Sequence, residues 1–203
     1  MTAKLKLGLG SLAVVLAMMT STTLTPAQPF RPVWKVQRVQ PVTAPDTEAR
    51  EQSALAQHLA SKYERPLSLV TRIVRAAYQE AATIGLPPLL LLAIIEKESG
   101  LKPNAVNPTG AVGLMQVIPK YHADKLRQVM HPDGLLNPET NIRVGSRILA
   151  QFLELRKGNV DQALKAYSGN SSAYPRRVNA FKHELEEVRS QVQVSATGPV
   201  PSM

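Results

Sequence analysis

Downstream of the N-terminal region, apolar residues are densest at residues 89–95, where Leu-Leu-Leu-Leu-Ala-Ile-Ile follows Pro87 and Pro88. Prolines favour the first turn of a helix, and a helix that is apolar on every side is buried. This run therefore predicts a central core helix. Amphipathic patterns with a period near 3.6 residues, bounded by Gly, Pro, Asn or Asp, predict further helices around it. These span about residues 46–63, 67–84, 119–130, 138–157, 160–167 and 174–191.

Strand signals are missing from the pattern. The chain shows no alternation of apolar and polar residues, no internal repeat and no rhythm of alternating strands and helices, so the predicted fold is all-α. Residues 99–118 are rich in Gly, Pro and Asn and predict one long loop. Long ordered loops in a compact domain are usually functional. A length of 203 residues with 44% hydrophobic content suits one such domain.

The N-terminus has the pattern of a secretory signal peptide over residues 1–27. Lys4 and Lys6 precede a short apolar segment and a run of Thr and Ser, with no acidic residue nearby. A retained membrane anchor is the alternative, because the apolar part is almost long enough to span a bilayer. Either way, we expect the protein in the periplasm or exported to the cell envelope.

Two further segments flank the expected domain. Residues 28–45 contain four prolines and predict an extended linker. Residues 192–203 predict a disordered tail. The folded domain is thus expected at residues 46–191.

Charge and composition limit the possible partners. The formal net charge is +9, which favours a nucleic acid, a membrane surface or an acidic wall polymer as partner. The leader and the scarcity of aromatic residues disfavour a nucleic acid. No cysteine is present, and the four histidines show no ligand spacing, so we expect no metal and no cofactor.

Glu98 is the residue that suggests chemistry. It shares a helix face with Leu91 and Ile94, whereas Glu96 points about 200° away and is expected to be solvated. Apolar surroundings and the negative end of the helix dipole both raise the pKa of a carboxyl. Such a group is suited to donate a proton to a glycosidic oxygen. The alternative is a structural Glu98 that is satisfied by local backbone or a neighbouring lysine.

The segment after Glu98 carries a resemblance to a known family. Residues 98–119 are Glu-Ser-Gly-Leu-Lys-Pro-Asn-Ala-Val-Asn-Pro-Thr-Gly-Ala-Val-Gly-Leu-Met-Gln-Val-Ile-Pro. This resembles the signature of the soluble lytic transglycosylase (SLT) domain family, which is related to goose-type lysozyme. Asn137-Pro138 with Asn141-Ile142, residues 163–167 and residues 174–178 resemble its later motifs. The resemblance covers about residues 67–185 and implies a compact lysozyme-like domain with a buried central helix and an active-site loop.

The resemblance also implies roles for individual residues. Glu98 matches the single catalytic acid and base, and Tyr167 matches a tyrosine whose hydroxyl approaches it. Met115 would contact sugar faces. The substrate-binding residues implied are Ser99, Gly113, Leu114, Met115, Gln116, Tyr167 and Tyr174. Each has a plainer interpretation: Leu114 and Met115 as core, Gly113 as a turn, and the tyrosines as packing residues.

The implied function is peptidoglycan lytic transglycosylation, which cleaves the MurNAc–GlcNAc β-1,4 bond and forms 1,6-anhydromuramic acid ends. A hydrolytic muramidase is an alternative, with Asp124, Asp133 and Glu139 as the nearest second carboxylates. A non-catalytic glycan-binding or assembly factor of an envelope-spanning machine is another. Expected partners are peptidoglycan glycan strands, and also anionic envelope polymers or a secretion or conjugation apparatus, with no membrane span unless the leader is retained.

One segment departs from the family pattern. Many members continue the first tyrosine as Tyr-Asn-Ala-Gly, whereas this chain has Tyr167-Ser168-Gly169-Asn170. The contact of that asparagine is therefore not carried over to this chain.

Overall fold

The computed structural model describes residues 45–127 and 134–197, with side chains described at 47–127 and 134–194. Within these ranges the structure is helical, and its β pairing consists of isolated bridges from Val112 to Val106 and Val117. The all-α prediction is confirmed. The helices are α1 (Pro45–Tyr63), α2 (Leu67–Ile84), α3 (Pro88–Ser99), α4 (Ala123–Leu126), α5 (Pro138–Leu155), α6 (Val160–Tyr167) and α7 (Tyr174–Thr197).

Helix α3 forms the centre of the domain, as its apolar run predicts. Every residue from Leu89 to Glu96 is buried. The helix packs against α2 and α7, α1 packs against the same two helices, and α5 lies between α2 and α6. Burying one large aliphatic side chain stabilises a fold by about 1.5–3 kcal/mol, so this helix anchors the whole domain.

The end of α3 determines where Glu98 lies. Gly100 adopts a left-handed conformation with φ 53°, and its amide donates to the Glu96 carbonyl at 3.1 Å. Glycine adopts this conformation without steric cost and commonly ends helices in this way. Glu98 is consequently held in the last helical turn, beside the start of the predicted loop.

Two predicted elements differ from the structure. The helix expected at 119–130 is instead a 3₁₀ turn at Pro119–Tyr121 followed by the short helix α4, and residues 128–133 lie outside the described ranges. At the other end, α7 continues to Thr197, so the prediction of a disordered tail from residue 192 is wrong up to that point. The helix continues past residue 192 because α7 packs along α1, and Val192 is half-buried.

The predicted leader and most of the predicted linker, residues 1–44, lie outside the described residues, as do residues 198–203. Among the described helices, none combines the length and the apolar content that crossing a membrane requires.

Candidate active site

Glu98 lies half-buried at the wall of a groove with a volume of about 590 Å³. The end of α3, the loop after it, α5, the end of α6 and the start of α7 together form the walls. Among the described residues that line the groove, Glu98 is the only carboxylate. The lining consists of Lys97, Glu98, Asn107, Thr109, Ala111, Gln116, Val117, Ile118, Tyr121, His122, Ile148, Phe152, Ala166, Tyr167, Ser168, Gly169, Ser171, Tyr174 and Arg177.

Burial controls the ionisation of Glu98. Loss of solvent raises the pKa of its carboxyl above the ordinary value, while the hydroxyl of Tyr174 and the charge of Lys97 oppose part of this increase. A carboxyl that holds its proton more tightly than usual can donate it at a pH where an exposed glutamate is ionised. The site therefore contains one candidate proton donor that faces an open groove.

Tyr174 is the aromatic residue that influences Glu98 most. Its side chain is 5% exposed, and its hydroxyl has no partner among the described atoms at strict hydrogen-bond geometry. The hydroxyl is nevertheless close enough to the Glu98 carboxyl to lower the pKa of that carboxyl, and the pKa of Tyr174 itself is raised by burial and by Glu98. Tyr174 thus has a hydroxyl proton that no described group holds firmly.

Tyr167 lines the groove near Glu98, and its hydroxyl is hydrogen-bonded to the loop. Its hydroxyl donates to the Met115 carbonyl at 2.8 Å, so its proton is directed at the loop rather than at Glu98. Its ring lines the groove and meets the Phe152 ring edge-on, with centroids 6.4 Å apart. Burial and the nearby Glu98 raise the pKa of Tyr167, which keeps it a neutral donor. Tyr167 therefore fastens the loop at the site.

Asn141 fastens the same loop from below. Its side chain is fully buried in α5 and accepts from the Met115 amide at 2.7 Å. Its amide nitrogen donates to the carbonyls of Val112 and Leu135, each at 2.9 Å. The bonds to Met115 and Val112 join segments that are 26 and 29 residues apart, whereas Leu135 lies six residues before Asn141. The sequence places Asn141 in a family-like motif, but its role as the anchor of the loop emerges only from the structure.

The strip from Gly113 to Met115 does not contact the groove through its side chains. Leu114 and Met115 are 0% exposed, so the expectation that Met115 contacts sugar faces is corrected: it packs in the core against Gly145. Gly113 has φ 78°, and a Cβ there would lie 2.1 Å from Nδ2 of Asn141. Close packing and backbone conformation therefore explain these residues.

Gln116 lines the groove, but its amide nitrogen is already occupied. Nε2 donates to the carbonyls of Ala105 at 3.2 Å and Gly113 at 3.0 Å. Both partners are acceptors, which fixes the orientation of the amide and leaves the side-chain oxygen for a ligand. Ser99, half-buried at the end of α3, donates to the Ile95 carbonyl at 3.1 Å and does not line the groove.

Glu96 contradicts the sequence prediction. It is 3% exposed rather than solvated, and its Oε1 accepts from Lys62 at 2.7 Å and from Tyr63 at 3.0 Å. Lys62 also donates to Glu184 at 2.6 Å. Burial raises the pKa of Glu96, and Lys62 opposes that increase. The prediction fails because α1 and α7 cover this face of α3, which the pattern of one helix cannot indicate.

Sequence reasoning missed several residues of the groove. Lys97 and Arg177 line it, as do Tyr121 and His122 after the loop. Their sequence signal is weak: Arg177 lies within the motif-like residues 174–178, and the other three lie next to matched motifs. In the described part of the chain, no group of three or more His, Cys, Asp or Glu residues is arranged to hold a metal ion.

Comparison with known proteins agrees with the sequence motifs. The model of the Transglycosylase SLT domain matches residues 74–188, more than half of the chain. The chain belongs to the SLT domain family. This membership confirms the resemblance seen in the sequence, and the matched region includes Glu98, the loop and the three tyrosines that line the groove.

Curated relatives match this SLT domain over part of their length. The soluble lytic murein transglycosylase of Escherichia coli K12 is 37% identical over 79 residues, covering 36% of this chain and 12% of that protein. The membrane-bound lytic murein transglycosylase C of Actinobacillus pleuropneumoniae serotype 5b is 33% identical over 121 residues, covering 56% of this chain and 31% of that protein. The chain thus spans well under half the length of either relative.

A solved structure is also similar to this SLT domain. It is an inactive mutant of the lytic transglycosylase Slt from Pseudomonas aeruginosa, 26% identical in sequence, with a TM-score of 0.44. The match covers 59% of this chain and 22% of that one.

Proposed function

We propose that this SLT domain is a peptidoglycan lytic transglycosylase that cleaves the MurNAc–GlcNAc β-1,4 bond. The observation that carries the proposal is the position of Glu98, a carboxyl whose pKa is raised by burial and which faces a groove. The curated relatives named lytic murein transglycosylases, which share parts of this domain, support the choice of substrate.

The first step is protonation of the leaving group. Glu98 donates its proton to the glycosidic oxygen, and the bond from that oxygen to C1 of the muramic acid breaks. The neutral acetamide oxygen of the same sugar bonds to C1 and stabilises the positive charge. The leaving GlcNAc departs with a free hydroxyl, and Glu98 is left as a carboxylate.

The second step returns the proton. The 6-hydroxyl of the muramic acid attacks C1, the acetamide is released, and the hydroxyl proton passes to the Glu98 carboxylate. The product has a 1,6-anhydro end, and no water is consumed. The lowering effect of Lys97 and Tyr174 on the pKa of Glu98 stabilises the carboxylate formed between the two steps.

The set of carboxylates favours this route over hydrolysis. A standard glycosidase needs a second carboxylate near the bond. Asp124 is exposed beside Lys125, and Glu139 forms an ion pair with Arg72, and neither lines the groove. Asp133 lies outside the described residues. Hydrolytic cleavage and non-catalytic glycan binding remain the competing hypotheses.

Mass spectrometry of digested sacculi separates the three hypotheses. We expect wild-type protein to release fragments with anhydro ends, each lighter by one water than the hydrated fragment, and Glu98→Gln to release none. Glu96→Gln is the matched control, because it makes the same change two residues away on the opposite face of α3 and should keep activity. Hydrated ends would indicate a muramidase, and equal lack of release by all three proteins would indicate a binder.

The proposed location follows from the substrate. Peptidoglycan lies in the cell envelope, which agrees with the exported location that the leader pattern predicts. Anionic envelope polymers, or a secretion or conjugation apparatus, are the further partners of this proposal. The net charge of +9 favours the anionic polymers, because it attracts them over about 10 Å at moderate salt.

A further inference from the structure

We infer that Lys97 and Arg177 form a cationic pair in the groove. This pair binds a carboxylate of the peptide stem that the glycan strand carries. This inference rests on the proposed function and adds to it the chemistry by which the substrate is selected. It concerns two residues to which the sequence motifs assign no role.

Both cations line the groove close to Tyr174. The Lys97 ammonium stands 5.5 Å from the centroid of the Tyr174 ring. Arg177 lies three residues after Tyr174 on α7, and residues at that spacing are neighbours on a helix surface. All three residues line the groove that contains Glu98. One cation therefore stands over the Tyr174 ring and the other lies one helical turn along α7, on the same groove as Glu98.

Neither cation is neutralised by a described acidic group. Other basic side chains in the described ranges form ion pairs, such as Lys62 with Glu96 and Arg72 with Glu139, but no ion pair is found there for Lys97 or Arg177. The one carboxylate in the described groove lining is Glu98, and no ion pair joins it to either cation in the described ranges. The wall beside the acid is thus positively charged and open to an anion.

The chemistry of the substrate supplies that anion. Each muramic acid carries a lactyl group, and the peptide stem attached to it ends in carboxylates. When a strand lies in the groove, these groups project sideways from its sugar chain. A carboxylate accepts charge-assisted hydrogen bonds from an ammonium and a guanidinium. The half-buried Lys97 is screened less by solvent than the exposed Arg177. A neutral glycan such as a chitin oligosaccharide lacks this contact.

The test compares two forms of one substrate. Soluble peptidoglycan strands are used as they are, or with their carboxylates converted to carboxamides, which removes charge with little change in shape. Wild type, Lys97→Met and Arg177→Met are compared for KM and kcat on both forms. Methionine keeps an unbranched apolar stem, which can still pack on Tyr174.

Arg176→Met is the matched control. Arg176 immediately precedes Arg177 on α7 and is exposed, but it lines a different depression with Asp161 and Lys165. Arg176→Met removes the same charge from the same helix as Arg177→Met. A general effect of net charge on KM would therefore appear in both variants.

We expect amidation to raise the KM of wild type and of Arg176→Met about two- to fivefold, which is typical of one partly screened ion pair. Lys97→Met and Arg177→Met should have a raised KM on the native strand and little further response to amidation. Equal KM values of wild type on both forms would overturn the inference while leaving the proposed cleavage intact.

Binding to Glu98→Gln separates the two proposals. This variant keeps both cations, so sedimentation with the two forms of strand measures recognition without cleavage. Weaker binding of the amidated strand supports the cationic pair even if wild type proves inactive. Equal binding of both forms by Glu98→Gln overturns the pair, whatever the activity of the wild type.

Discussion

Asn141 offers a sharp test of how the loop is held, through the substitution Asn141→Asp. The change is nearly isosteric, but it replaces the nitrogen that donates to the Val112 and Leu135 carbonyls, each at 2.9 Å, with an oxygen. An ionised carboxylate would direct negative charge at both carbonyls. A protonated carboxyl can donate to only one of them. In either form at least one carbonyl loses this donor. The Val112 carbonyl still accepts from the Val117 amide at 3.0 Å, so the Leu135 carbonyl is the one left unsatisfied when its bond is lost.

The size of the effect depends on pH. One unsatisfied buried carbonyl costs about 1–3 kcal/mol. Keeping a carboxyl with an ordinary pKa of about 3.9 protonated at pH 7 costs about 4 kcal/mol more. The folded-state pKa of the introduced carboxyl lies above its unfolded value, so its pH-dependent cost is small below about pH 4 and grows as the pH rises towards the folded value. We expect a loss of about 5–7 kcal/mol at pH 7, comparable to the whole stability of many domains.

Urea unfolding at pH 4 and pH 7, monitored by the helical circular dichroism signal, measures both the cost of the unsatisfied carbonyl and the pH-dependent cost of the carboxyl. Asn159→Asp is the control, because Asn159 caps α6 by accepting from the Gln162 amide at 2.9 Å, and aspartate caps a helix equally well. The reasoning is refuted if Asn141→Asp destabilises no more than Asn159→Asp at pH 7, or if its effect is the same at both pH values.

Three further substitutions test the surroundings of the site. Lys62→Met should destabilise by about 3 kcal/mol near neutral pH, because it leaves the buried Glu96 charge without its cation, and adding Glu96→Gln should restore most of the loss in urea unfolding. Gly113→Ala should cost about 2–4 kcal/mol and lower the thermal midpoint, because it puts a Cβ at φ 78° against Asn141. Tyr174→Phe removes a group that lowers the pKa of Glu98, so the alkaline limb of the pH–rate profile should move to higher pH, whereas an unmoved limb would contradict the contact.

The helices and the position of the acid could be predicted because their signals are local. Pro88 at the start of α3 and Gly100 after it fix the helix within a few residues, and the apolar run makes it the core. Helix α5 begins after Asn137, whose side chain accepts from the Thr140 amide at 2.9 Å. Each of these rules needs only neighbouring residues, so the sequence alone is sufficient.

The interior of the loop could not be predicted in the same way. Whether Met115 faces the groove or the core depends on bonds from Asn141 and Tyr167, which lie 26 and 52 residues further along the chain. The same limit applies to Lys97 and Arg177, which come together only when α7 packs against the end of α3. A motif identifies such residues as a set, but their orientation depends on tertiary contacts that no local pattern contains.

Glu96 and Glu98 show why burial alone does not identify a catalytic acid. Both carboxyls belong to α3, and burial raises the pKa of each. Glu96 is fixed by a lysine and a tyrosine at 2.7 and 3.0 Å, so a proton would have to compete with a cation that is already bound. No described cation forms an ion pair with Glu98, and it faces a groove that a sugar can enter. The proposed acid is therefore distinguished from Glu96 by an open side and by having no fixed cation among the described residues. This difference can be read only after the helices on both faces of α3 are in place.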